Sequence, residues 1–147
     1  MYKQRLYFLT NVLYLQYMTN WKEKDLFEWL SKNHYKTLVN SKNPISRWDC
    51  YDIETQSRIE LKCRRKHYNT LILEKSKYDA IVKESDKNFD IPIYINSTPE
   101  GIYLFNLNDI EQKWFTKSLP ATTEFKKRFW VKKEITELNI NKAKKLK

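Results

Sequence analysis

The sequence predicts an α+β fold built as one domain, and three observations lead there. At 147 residues the chain has the length of a single domain and can bury ~68–70% of its unfolded surface without staples. Short runs rich in Ile, Leu, Tyr, Trp and Cys, divided by polar turns, fill residues 46–64 and 90–107, the pattern of strands. Residues 20–32 and 76–85 instead carry apolar side chains at helical spacing. A helix, a run of strands, a second helix and more strands is the order of an α+β domain.

The elements follow in order. Residues 1–17 open with basic residues and an apolar stretch, but the tyrosines, Gln16 and the lack of a small-residue cleavage site argue against an export signal. They are expected to join the core as a strand or helix. In the helix over 20–32, Asn20 can cap and Glu23 stands at the third helical position, as in a capping box. Leu26, Phe27, Trp29 and Leu30 form its apolar stripe, and Glu23 falls within that stripe. Residues 33–46 read as a connector ending in the turn signal Lys42–Asn43–Pro44.

An antiparallel hairpin is expected next, from residues 46–53 and 57–64. A loop of two or four residues sets Asp49 opposite Lys62 and Tyr51 opposite Glu60. A three-residue loop sets Asp52 opposite Glu60 instead. In the first register one face carries Asp49, Tyr51, Arg58, Glu60 and Lys62, while Trp48, Cys50, Ile59, Leu61 and Cys63 make an apolar face. Thr70 to Leu73 reads as a third strand. Ser76 and Asp79 frame a capping box, and Tyr78, Ile81 and Val82 give the helix that follows an inward side. A strand over 90–96 contains Pro92, which suits an edge or a bulge. Residues 102–107 return as another strand. Arg128 to Val131 is expected as a strand carrying Phe129 and Trp130 into the core. A single domain over 1–140 then gives way to a frayed basic tail at 141–147.

Composition narrows the function. No run approaches the ~18 apolar residues needed to span a bilayer, so no membrane partner is expected. Two cysteines without an export signal point to the reducing cytoplasm. Cys50 and Cys63 are expected as free thiols, and the isolated His34 and His67 do not make a zinc site. A net charge of +10 from 28 basic and 18 acidic residues favours an anionic partner, nucleic acid first. Three basic clusters suit phosphate contact: Arg64–Arg65–Lys66 followed by His67 and Tyr68, Lys75 and Lys77 at a helix start, and Lys126–Lys127–Arg128.

The polar face of the hairpin carries the chemistry. Two carboxylates on adjacent strands supply the hard oxygen ligands of a Mg²⁺ ion. A lysine two residues after the glutamate, on the same face, can orient an attacking water or stabilise charge on a phosphate. Glu-x-Lys also occurs at Glu111–Lys113 and Glu124–Lys126. Only Glu60–Leu61–Lys62 lies in an apolar strand that follows another bearing aspartates.

Asp49 followed by Glu60–Leu61–Lys62 resembles the PD-(D/E)XK nuclease superfamily, over about residues 20–106. The chain departs from the name motif, because Arg47 and Trp48 precede Asp49. The resemblance implies a restriction-endonuclease-like αβββαβ core, a mixed sheet flanked by helices. It implies Asp49 and Glu60 as metal ligands and Lys62 as the catalytic lysine, with Asp52 competing with Asp49. A glutamate of the preceding helix often completes such sites, so Glu23 is either a third ligand or a cap. The expected activity is a Mg²⁺-dependent endodeoxyribonuclease, Mn²⁺ serving as a substitute. Its partner is DNA, in the manner of small Holliday-junction resolvases, phage nucleases or homing endonucleases, with a homodimer for two-strand cleavage. The rival reading is a non-catalytic nucleic-acid-binding module.

Overall fold

A computed structural model describes residues 18–43, 45–46, 48–121 and 129–147. Residues 1–17 and the cluster Lys126, Lys127 and Arg128 lie outside the described residues. In chain order the elements are helix α1 (Glu23–Asn33), strands β1 (Leu38–Asn40), β2 (Cys50–Asp52), β3 (Ser57–Cys63) and β4 (Thr70–Glu74), helix α2 (Lys75–Asn88), and strands β5 (Ile91–Thr98), β6 (Gly101–Asn106), β7 (Phe115–Pro120), β8 (Trp130–Asn139) and β9 (Lys144–Lys145). A 3-10 turn at Ile140–Lys142 joins the last two strands.

Six strands form the main sheet in the order β1-β2-β3-β5-β6-β9. The sheet is mixed. β3 runs parallel to β5, and the other neighbours are antiparallel. A parallel pair needs a long crossover, and β4 with α2 supplies it. The remaining strands make a smaller antiparallel sheet, β4-β8-β7.

Period-two alternation sends β3 and β5 side chains to two cores. Ile59, Leu61, Ile93 and Ile95 pack with Leu26 and Leu30 of α1 and with Cys50. Tyr94, Tyr103 and Phe105 face the other way, toward Leu71, Leu73, Leu138 and Ile81 of α2. Each fully buried Leu or Ile stabilises the fold by ~1.5–3 kcal/mol. The result is an α+β domain with a mixed sheet flanked by two helices.

Several expectations need correction. β1 lies inside the stretch expected as a connector, and it is the outer strand of the β1-β2-β3 meander. The strand at Thr70–Glu74 exists but belongs to the smaller sheet. Asp25, not Glu23, closes the start of α1, its Oδ2 accepting from the Lys22 N–H at 2.8 Å. Helix α2 begins at Lys75, so Ser76 lies within it, and Asp79 pairs with Lys75 at 2.6 Å.

Pro92 sits near the start of a central strand rather than at an edge. It is tolerated because pairing of β5 with β6 begins only at Ile93, opposite Asn106. Its carbonyl still accepts from Leu107 N at 3.0 Å, so only the donor that proline lacks is missing.

The end of the chain departs most from expectation. Residues 144–145 pair with Leu104 and Tyr103 as the last strand of the main sheet. Leu146 packs against the α1-side core, while Ile140 and Ala143 pack against the other core. Lysine stems lie along apolar surface while their heads stay in water, which hides a packed strand inside a basic tract. Gly101 marks the same corner. A side chain there would collide with the Lys147 carbonyl oxygen. Conversely, Phe129 and Trp130 enter no core; they are 71% and 65% exposed.

Candidate functional site

The hairpin register brings the two carboxylates together more directly than expected. Four residues, 53–56, close the turn, and Gln56 takes a left-handed φ of 51° there. Cys50 pairs with Ile59, Tyr51 with Arg58 and Asp52 with Ser57. The register thus stands two residues from the expected one. Asp49 falls beside Glu60 rather than Lys62, and Tyr51 beside Arg58 rather than Glu60. A shift of two preserves the faces, so Glu60 and Lys62 still share a side with Arg58. Trp48 does not follow the alternation. It precedes β2, packs with the core beneath α2, and has the Arg58 guanidinium 4.2 Å above its ring.

Asp49 is fixed at the start of β2. Its N–H donates to the Ile59 carbonyl at 3.0 Å and its own carbonyl accepts from Ser41 N at 2.9 Å. Its Oδ2 accepts from Leu61 N at 2.7 Å. That side-chain bond takes a main-chain donor of β3 and leaves the carboxylate against Glu60.

Glu60 is 7% exposed. Burial first, and then the Asp49 carboxylate, push its carboxyl up to about 7 against the opposing pull of Lys77. Its Oε1 accepts from Lys77 Nζ at 2.6 Å. Among the described residues no donor reaches its Oε2, which is buried. The adjoining Asp49 carboxyl offers that oxygen a bond only when a proton is shared between them.

Asp52 has a different setting. Its Oδ1 accepts from Thr37 Oγ1 at 2.9 Å, and its Oδ2 from the Thr55 N–H at 3.0 Å and Thr55 Oγ1 at 2.7 Å. Burial raises its carboxyl, but the Thr55 and Thr37 bonds outweigh that and hold it below its ordinary value. Both oxygens are committed to the turn.

A cavity of about 210 Å³ opens beside Glu60, lined by Glu23, Glu60, Lys62, Arg64, Lys77 and Tyr94 among others. Glu23 and Lys62 thus line the same cavity as Glu60. Among the described residues no three His, Cys, Asp or Glu side chains gather as a metal cluster, so Glu23 lines the rim without completing a triad. The orphaned Glu60 oxygen beside the Asp49 carboxylate fits a hard divalent cation. Mg²⁺ is usually held by one or two carboxylates, with waters and phosphate oxygens in the rest of its shell.

The basic residues divide. Arg64 turns inward: its Nε donates to Asn96 Oδ1 at 3.1 Å, and one terminal nitrogen donates to the Ile72 carbonyl at 2.7 Å and the Tyr94 hydroxyl at 3.1 Å. It clamps the end of β3 to β4 and β5 and is not an exposed phosphate contact. His67 is held by Thr98 Oγ1 at 2.9 Å and Glu100 at 3.0 Å. Arg65, Lys66 and Tyr68 are exposed beside the site.

Lys75 is paired to Asp79. Lys77, expected to meet phosphate at the helix start, lines the cavity. The sequence held the signal for this. Lys77, Ile81 and Ser85 recur at every fourth residue, and Ile81 and Ser85 are the buried side of α2.

No protein-family model and no curated protein matches this chain. Among solved structures it is similar to Hjc of Archaeoglobus fulgidus, described as a Holliday junction resolvase from an archaeal hyperthermophile. The TM-score is 0.56 at 15% sequence identity, over 84% of this chain and 96% of that one. At that identity the likeness concerns architecture, and the fold of this chain is restriction-endonuclease-like.

Proposed function

We propose that the chain is a metal-dependent endodeoxyribonuclease that acts on branched DNA in the manner of a junction resolvase. The observation that carries the reading is the Asp49–Glu60 pair, with one buried glutamate oxygen left without a donor among the described residues and Lys62 lining a cavity with Glu60. The fold shared with Hjc supports it.

Asp49 and Glu60 would hold Mg²⁺, or Mn²⁺ in its place. When bound, such an ion neutralises charge on a phosphate and makes water more acidic. Lys62 stands on the same strand face as Glu60 and directs its ammonium at the attacking water or at the phosphate. Arg64 keeps that strand end in place through its clamp. Arg65, Lys66 and Tyr68 meet the DNA backbone and bases from the loop beyond. Exposed Phe129 and Trp130 add rings for unstacked bases on the β7–β8 hairpin. A homodimer would set two sites on two strands, and sedimentation with and without junction DNA checks that arrangement.

The rival is a binding module without catalysis, favoured by the ion pair that already engages Glu60. Incubation with four-way junction, nicked duplex and linear duplex, in Mg²⁺ and in EDTA, separates the two. Cleavage is expected in Mg²⁺ only. Asp49→Asn, Glu60→Gln and Lys62→Ala should each lower it by at least about a hundredfold, with DNA affinity largely retained. Equal cleavage by all three variants would remove the assignment from this hairpin.

A further inference from the structure

Lys77 and Glu60 form an unequal ion pair. The glutamate side chain is 9% exposed and the lysine side chain 50%, at 2.6 Å. Glu60 is fixed on β3, between β2 and β5. Lys77 stands in the first turn of α2 and reaches the carboxylate through a four-carbon stem. Of the two, only the ammonium can leave without disturbing the sheet.

Its surroundings are those of a cation site. Lys77 meets Glu60 at 2.6 Å, and Glu23 lines the same cavity. Without that ammonium the buried Glu60 would stand uncompensated beside Asp49, which is strongly unfavourable for a desolvated carboxylate. A divalent ion on Asp49 and Glu60 would bring two positive charges to the same place. An ammonium on Glu60 Oε1 and such an ion beside it repel one another across a few ångströms.

We propose that Lys77 is the resident counter-ion of the carboxylate pair, and that it gives up Glu60 when a divalent metal binds. This rests on the nuclease reading of Asp49 and Glu60. The released side chain stays in the cavity with Lys62 and Arg64, where Glu23, Glu74 or an incoming DNA phosphate takes its charge. Lys77 therefore has two positions, one for the metal-free chain and one for the loaded complex. It is a positioning residue that sets metal affinity, and it keeps the carboxylates from repelling incoming DNA before metal is present.

Calorimetric titration of the full chain with Mn²⁺ tests this, comparing the parent with Lys77→Met and Lys77→Gln. The glutamine keeps an uncharged donor toward Glu60 and covers the case in which the methionine variant fails to fold. Both variants should bind Mn²⁺ about tenfold more tightly than the parent, an ordinary size for coupled sites. In EDTA they should melt below the parent and gain more than it does on adding Mn²⁺. A merely structural lysine would lower the melting temperature and leave the metal affinity unchanged or weaker, and that result overturns the proposal while the metal site stands. If neither the parent nor the variants bind Mn²⁺, the metal reading of the pair fails, and the proposal with it.

Discussion

Both oxygens of Asp52 accept hydrogen bonds, from Thr37 and Thr55, whereas among the described residues the second oxygen of Glu60 receives none. The consequences of mutation differ accordingly. Asp52→Ala strips Thr37 and Thr55 of a charged acceptor and should cost about 2–3 kcal/mol of stability, in the range for hydrogen bonds to charged groups. Urea denaturation checks this, and an unchanged midpoint would sink it. Glu60 makes the opposite contribution in the absence of metal. Its carboxyl is raised from 4.5 to about 7 in the folded chain, so between those values the folded state holds a proton that the unfolded state has released. Stability falls as pH rises through that window and stays at the lower level above it. Glu60→Gln removes the titration. In EDTA the variant should therefore gain on the parent in thermal melts as pH rises from about 5 to about 8. A constant difference across that range would contradict the assignment.

At the scale of elements, the lysine-rich end of the chain is part of the main sheet. Residues 144–145 complete its edge on β6, and Leu146 N donates to the Ile102 carbonyl at 2.8 Å. Leu146→Ala should cost about 1–2 kcal/mol, less than the ~2–5 kcal/mol of a fully buried leucine because this one is half-buried. Removal of 142–147 should lower the melting temperature as well as DNA affinity; a purely electrostatic tail would change only the affinity. This strand was hidden in the sequence because one leucine among lysines gives no readable period. β7 was hidden for a related reason: Phe115 to Pro120 is largely exposed, so its residues follow no two-fold burial pattern. The hairpin was more legible. Alternation put Glu60 and Lys62 on one face, but it failed at Trp48 and could not tell registers two residues apart. No Asn-Gly turn pinned them either. The pairing of Lys77 with Glu60 was not read from the sequence, because the charge of Lys77 suggested phosphate, although the buried stripe through Ile81 ran back to it.

Across the whole molecule, the sheet divides the protein into two layers, and both cysteines lie in the one beneath α1. Cys50 is fully buried in that core, and Cys63 packs against it at the end of β3. Both are free thiols. Burial drives each away from the reactive thiolate, Cys63 to about 11 and Cys50 upward as well. The two sulfurs are therefore built-in clocks for the layer. An alkylating reagent can reach half-buried Cys63 through small local fluctuations, whereas Cys50 must wait until the helix lifts from the sheet. Mass spectrometry under native conditions should find single modification at Cys63 long before any at Cys50, and both at once in denaturant. Equal rates on the folded chain would mean that the α1 layer opens as one unit. The ratio of the two rates measures how tightly that layer is closed, without introducing any new residue.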